Sequence, residues 1–179
     1  MNEAEYARMF EAEQSSWWFR GRRRVVSAAI ARLGLPVGAQ IASIGCGTGG
    51  NLTMLTGHGS VVGVEPSPTA AAFARERTGL QVVEGTAEAT TLPEETFDLV
   101  AMLDVLEHLD DEGLALAEVR RILRPGGRLL LTVPAFMLLW SGHDVALHHR
   151  RRYRRAQLRE VVARAGFEMG WLTYYNAAL

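Results

Sequence analysis

The stretch "IASIGCGTGGN", Ile41–Asn51, decides how this chain is read, because four glycines fall within it directly after a short apolar run. Glycine accepts positive φ and lets a ligand approach the backbone, and the start of a following helix offers free N–H groups. Two spacings overlap here. Gly45, Gly47 and Gly50 spell the G-x-G-x-x-G of a dinucleotide site, whereas Gly45, Gly47 and Gly49 spell G-x-G-x-G and leave Gly50 as an extra glycine. A plain tight turn satisfies the same letters. The next apolar run, "SVVGVEPS" (Ser60–Ser67), ends in Glu65. An acid at a strand end about twenty residues beyond the first glycine accepts both ribose hydroxyls of an adenosine-bearing cofactor. That feature leaves the choice of cofactor open.

Composition narrows the classes. A chain of 179 residues with 48% hydrophobic content suits one domain with a sizeable core. The formal charge of −1 does not suit a general nucleic-acid binder. Charge is unevenly spread, with Glu3, Glu5, Glu11 and Glu13 first and the basic runs "RGRRR" (20–24) and "RRRYRR" (150–155) later. Such runs read first as solvated faces. The single cysteine, Cys46, cannot form an internal disulfide and points to a reducing compartment. The N-terminus is acidic without an apolar signal core. The longest apolar stretch, "LLLTVPAFMLLW" (Leu129–Trp140), is broken by Pro134 and too short for a membrane span. The expectation is a soluble, cytoplasmic protein with no transmembrane segment. All nineteen basic residues are arginine. The absence of lysine excludes the usual forms of P-loop NTPases, Tyr-x-x-x-Lys dehydrogenases, pyridoxal enzymes and Schiff-base aldolases.

Hydrophobic periodicity predicts helices over 2–14 and 17–33, with Ser15 or Ser16 as N-cap of the second and Gly34 and Pro36 ending it. Strands follow at 40–44, 60–65, 81–84, 97–103, 128–133 and 167–175, and helices at 50–56, 67–78, 112–123 and 155–165. "RPGG" (124–127) reads as a helix stop and turn. Alternating short apolar strands and helices predict an α/β fold: a Rossmann-like, doubly wound, mostly parallel sheet with helices on both faces. One domain spans 1–179, with an N-terminal helical cap over 1–35 and the α/β core over 36–179. Ligands of such sheets bind outside the carboxyl ends of the strands, where the glycine turn lies.

The remaining motifs carry a resemblance. "VVEGTAEATTLPEETFDLVAMLDVLEHLDD" (Val82–Asp111) and "VRRILRPGGRLLLTVPAF" (Val119–Phe136) resemble the third-to-fifth-strand region of class I S-adenosylmethionine (SAM) dependent methyltransferases. The resemblance covers roughly residues 18–176. "SSWWFRGRRRVV" (Ser15–Val26) and "LWSGHDVALHHRRRY" (Leu139–Tyr153) resemble a bacterial subgroup of methyltransferase-domain proteins with a Trp-Trp-Phe-Arg start and a His-Asp…His-x-Arg-Arg-Tyr segment. His143, Asp144, His149, Arg151, Arg152 and Tyr153 match it, and His148 stands where glycine is commoner.

Carried over by position, the resemblance implies SAM as cofactor and S-adenosylhomocysteine as product. Gly45, Cys46, Gly47 and Gly49 would wrap the methionine part and Glu65 the ribose. Pro66, Thr86 and Ala87 would flank the adenine, and Leu103 and Asp104 the sulfonium side. Ser43 and Thr86 depart from the family pattern, which carries Asp or Glu at the first position and often Asp at the second. Each lost charge-assisted bond costs about 1.5–3 kcal/mol, so weak-to-moderate SAM binding is expected. Family members finish with a sixth and a seventh strand; this chain stops after what reads as the sixth, so either the chain is cut short or a partner completes the sheet, and the unpaired edge favours a homodimer.

A transferable methyl group needs alignment, and a base only where the acceptor must lose a proton. His143, His149 and Tyr153 are the candidates, with His108 a further one and Asp144 an orienting acid. Asp104, Glu107 and His108 (i, i+3, i+4) resemble the divalent-ion ligands of some quinone-pathway and small-RNA methyltransferases, but the same "LEH" occurs in metal-free relatives, and the reading assigns no metal. "SSWWFRGRRR" with Arg151 and Arg152 reads either as a lid helix or as an arginine wall for an anionic acceptor. The expected function is methyl transfer to a small or lipid-linked acceptor, O favoured over N. The rivals are a NAD-binding oxidoreductase fragment and a degenerate SAM-fold binding module.

Overall fold

A computed structural model describes residues 3–175; the side chains of 3–5, Gln14 and His143 lie outside the description. Helices α1 (Glu3–Ser15) and α2 (Trp17–Ala31) precede five strands, β1 (Gln40–Ile44), β2 (Ser60–Glu65), β3 (Val82–Glu84), β4 (Phe97–Leu103) and β5 (Leu123–Thr132). Between and after them run α3 (Leu52–Leu55), α4 (Pro68–Thr78), α5 (Glu112–Ile122), α6 (Gly142–Ala146) and α7 (Arg155–Arg164), with single 3₁₀ turns at Leu106–His108 and Met137–Leu139. Ser16 caps α2 by accepting from the Trp18 N–H, as its position predicts.

The strands lie in the order β3-β2-β1-β4-β5, and every pairing is parallel. The chain winds outward from β1 to β3, then returns to place β4 against the other side of β1. The switch point therefore falls between β1 and β4, and a crevice opens at their carboxyl ends. All of β4 is buried, as a strand covered on both faces must be. Its alternate residues separate. Leu99, Ala101 and Leu103 pack with Val26 and Ile30 of α2, while Val100 and Met102 pack with Leu116, Val119 and Ile122 of α5 and with Leu158 and Val162 of α7. The period of two along the strand thus sorts the core into two layers.

Two expectations are corrected. β5 begins at Leu123, opposite Phe97, rather than at 128, because "RPGG" is an irregularity within the strand: the register slips between Phe97 and Leu99, and Gly126 takes φ +80°. Residues 167–175 form no strand, although their apolar pattern suggested one. Phe167 N–H closes onto Val162 O, the Leu172 carbonyl accepts from Arg155, and Phe167, Met169 and Leu172 pack on the core without a ladder.

The loop after β3 is tied to α5 by Glu118, which accepts from Thr90 N–H (3.0 Å) and Thr90 Oγ1 (2.5 Å) and pairs with Arg121 (2.7 Å). Arg121 and Thr90 hold the Glu118 carboxyl down at about 2. A depressed carboxylate stabilises the fold above its unfolded value, and that contribution is lost as pH falls through the folded value. Glu118→Gln is expected to cost about 1–2 kcal/mol at pH 7, with Arg121 partly solvated, and almost nothing at pH 2. Urea unfolding of both proteins across that range checks it.

Candidate active site

β1 delivers the chain straight into the glycine loop, where Gly45, Gly47 and Gly49 take φ of +63°, +56° and +84°. Each serves a different neighbour. A Cβ on Gly45 would lie 2.6 Å from Val105, and one on Gly49 would press on Ala74 and Thr78 of α4. One on Gly47 would meet only the Met9 methyl at 3.5 Å, so this backbone borders a space that a side chain would fill. Gly50 also has a purpose the G-x-G-x-G reading did not give it. A Cβ there would collide with the carboxylate of Glu13. Glu13, buried on α1, accepts from Thr48 Oγ1 (2.9 Å) and pairs with Arg77 (3.0 Å). The Tyr6 hydroxyl donates to Ser67 Oγ (2.9 Å) and Phe10 meets Phe73 edge-on, so α1 is a cover over the glycine loop and α4.

Glu65 stands at the end of β2 with its carboxylate turned to this loop. Gly47 N–H donates to it at 2.9 Å and Ser67 N–H at 3.1 Å. Burial raises the Glu65 pKa, and these two N–H groups oppose the rise. The loop is locked in place from the other side as Cys46 N–H donates to Val64 O (3.1 Å). The Cys46 thiol, pushed up to about 12 mainly by burial, is an inert spacer. Gly85 N–H donates to Glu65 O (3.3 Å), which brings Thr86 and Ala87 beside exposed Pro66; Ala87 is buried and Thr86 exposed. Ser43 is buried within β1, between Gly63 and Ala101.

At the end of β4, Leu103 is buried and Asp104 turns into the left-handed region at φ +57°. Arg22 of α2 reaches across the sheet end to pair with Asp104 (2.8 Å) and to donate to Thr132 Oγ1 (3.2 Å), and Thr132 Oγ1 donates to Asp104 (2.7 Å). Sequence reasoning missed this cluster. Its members, Arg22, Asp104 and Thr132, lie far apart along the chain.

The 3₁₀ turn after β4 presents Glu107, which is fully buried with both carboxylate oxygens unpartnered among the described residues. Burial, then the charge of Asp104, pushes its carboxyl up to about 8. His149 Nε2 lies 4.0 Å from it, and the His149 ring meets that of His108 edge-on at 4.8 Å. The other ring nitrogen of His149 is held by Asp144 at 2.9 Å. Asp144 is fully buried and also accepts from Ser141 N–H (2.8 Å) and from both arms of Arg152 (2.7 and 2.9 Å). Arg152 above all, then His149, holds its carboxyl well below the usual range.

The candidate bases therefore part company. His149 sits in the crevice-end cluster with Glu107 and His108. Tyr153 is buried in the core, and its hydroxyl donates to Glu112 and Leu106 O, which with burial raises its pKa strongly. His143 lies on α6 with its side chain outside the described residues. Arg151 and Arg152, read as part of an acceptor wall, are instead paired internally with Glu112 (3.1 Å) and Asp144.

The methyltransferase-domain family matches residues 42–131, half of the chain. The chain belongs to the class I SAM-dependent methyltransferases. It is 30% identical over 160 residues to a "Probable S-adenosylmethionine-dependent methyltransferase" of Mycolicibacterium smegmatis, covering 87% of this chain and 61% of the relative. Over 154 residues it is 33% identical to a ubiquinone biosynthesis O-methyltransferase of Azorhizobium caulinodans, covering 75% of this chain and 61% of that one. The chain thus spans about three-fifths of these relatives. A solved SAM-dependent methyltransferase from Thermotoga maritima superposes with a TM-score of 0.70 at 28% identity, over 94% of this chain and 82% of that one. The cofactor of the family is SAM, and the residues present fit it: an open glycine backbone at Gly47, a buried carboxylate facing the glycine loop at Glu65 and an acid at the end of β4. The dinucleotide reading of the turn gives way.

Proposed function

We propose that the protein containing this chain transfers a methyl group from SAM to a hydroxyl of a small or lipid-linked acceptor. The observation that carries the reading is the Asp144–His149 pair beside the crevice end of β4. SAM supplies an already activated methyl group. Gly45, Cys46, Gly47 and Gly49 hold its methionine part through their backbone, Glu65 its ribose, Pro66, Thr86 and Ala87 its adenine, and Leu103 and Asp104 border the sulfonium. Asp144 keeps the proton of His149 on Nδ1, leaving Nε2 able to take the acceptor's hydroxyl proton as the oxygen bonds to the methyl carbon and the C–S bond breaks, releasing S-adenosylhomocysteine. Arg22 and Thr132 fix Asp104 so that the crevice wall is set before the acceptor enters.

Turnover of labelled SAM against a panel of hydroxyl and amine acceptors tests this; SAM binding without turnover on any acceptor favours a degenerate binding module. His149→Ala is expected to lower kcat by about 10²–10⁴ for a hydroxyl acceptor while leaving SAM affinity unchanged. Ser43→Asp is expected to tighten SAM binding about tenfold or more by favouring its ammonium group; unchanged affinity contradicts that assignment. A homodimer belongs to the same reading, and a monomer in light scattering removes it.

A second reading has one observation behind it. Donor atoms of Glu107, His108 and His149 all lie within 4.8 Å of one another, and a bound divalent ion would satisfy the unpartnered Glu107 oxygens. Asp104, engaged by Arg22, is not in that group. Metal analysis of protein purified without chelator separates the readings: a stoichiometric ion makes His149 a ligand rather than a base.

A further inference from the structure

We infer that the segment after β5 docks the crevice mouth onto an anionic lipid bilayer. At Phe136 the chain turns through φ +59°, rare for an aromatic residue, and the turn is fixed by its N–H on Tyr153 O (3.0 Å) and by its ring stacked on Tyr174 at 4.9 Å. Beyond it Met137–Leu139 project outward, with Leu138 93% and Leu139 58% exposed, and Val145 of α6 follows at 62%. Of these, Met137, Leu138 and Leu139 border, with Phe136 and Tyr174, an open, largely apolar groove of about 680 Å³. A soluble surface rarely gathers so many exposed aliphatic groups without a partner.

The charges on the groove identify that partner. Among the described residues its lining contains no acid, and its two ionic groups are the exposed Arg154 and Arg155. Arg154 has no ion-pair partner among the described residues, and Arg155 bonds only a backbone carbonyl, that of Leu172. These two residues also open α7, whose first turn carries no acid and whose cap makes no side-chain hydrogen bond, so its positive end adds to theirs. The neighbouring Arg150, Arg151 and Arg152 are already neutralised by Asp110, Glu112 and Asp144. Aliphatic tips with a cationic rim match acyl chains beneath anionic headgroups. A folded protein partner would be expected to bring both signs of charge to the rim.

Docking here would place the carboxyl-end crevice at the bilayer surface. The inference does not depend on which atom is methylated, because its test reads lipid binding alone. The full chain is sedimented with vesicles of phosphatidylcholine alone and of phosphatidylcholine with phosphatidylglycerol, at low and high salt, without SAM or acceptor. Binding to the anionic vesicles only, weakened by salt, is expected. Leu138→Asp should lower the partition coefficient about tenfold or more and Arg154→Gln about fivefold. Both variants should keep the far-UV spectrum and SAM affinity of the parent. Absence of sedimentation with anionic vesicles at low salt overturns the proposal. So does parent-like binding by Leu138→Asp, or a dimer in light scattering that Leu138→Asp dissociates, since the surface would then belong to a second copy.

Discussion

Glu65→Ala is expected to weaken SAM binding by at least about a hundredfold. The proposed SAM pose places two ribose hydrogen bonds on this buried carboxylate, and both would be lost at about 1.5–3 kcal/mol each. The deletion also frees the Gly47 and Ser67 N–H groups that the carboxylate holds, so the glycine loop loses its brace together with the ligand contact. Glu65→Gln keeps the shape and one good acceptor, and should lose closer to tenfold. The effect has a pH signature. Burial raises the Glu65 pKa, ribose hydroxyls donate to the ionised form, and affinity therefore falls as pH drops through the folded-state value. Calorimetric titrations at several pH values, with thermal unfolding as a control for folding, check both points. The pH dependence should vanish in Glu65→Gln.

Asp144→Ala is expected to be the most damaging substitution for stability, at about 3–5 kcal/mol. Asp144 is fully buried and gathers Ser141 N–H, His149 and Arg152. Removing it leaves a nearly buried guanidinium without its counter-charge. That uncompensated charge, rather than the value of the pair itself, makes the loss large. Replacing both members, as in Asp144→Leu with Arg152→Met, should cost less than the two single changes summed, and urea unfolding of the four proteins measures the difference. For function, Asp144→Asn separates support from mere folding. It preserves volume but no longer fixes the proton on Nδ1 of His149, so the acid limb of the pH–rate profile, which reports the base, should shift while SAM affinity holds.

Much of the scaffold is written locally. The alternation of apolar runs and helix periods places β1 to β4 and α1, α2, α4, α5 and α7 within a few residues, because each is set by its own side-chain period and caps. The glycine turn and Glu65 are legible for the same reason: both belong to one strand–turn–helix–strand unit. The β5 boundary was not, since "RPGG" reads as a stop when its irregular pairing with Phe97 is hidden. Residues 167–175 carry a strand-like pattern that the structure spends on packing instead. Long-range charge pairing was the least visible of all. Arg22 finds Asp104, Glu13 occupies the space left by Gly50, and Arg152 turns inward to Asp144. A basic run has no period that says which of its members are neutralised. Glu107 was legible as a residue with ligand spacing, whereas its burial without a partner follows only from the layers above it.

The central claim is that the crevice between the ends of β1, β2 and β4 holds SAM through Glu65 and the glycine backbone. Isothermal titration of the parent chain and of Glu65→Ala with SAM, S-adenosylhomocysteine and NADH tests it most directly. The account predicts stoichiometric binding of SAM and S-adenosylhomocysteine, no binding of NADH, and loss of both adenosyl ligands in Glu65→Ala. Binding of NADH alone, or SAM affinity unchanged by Glu65→Ala, would contradict it.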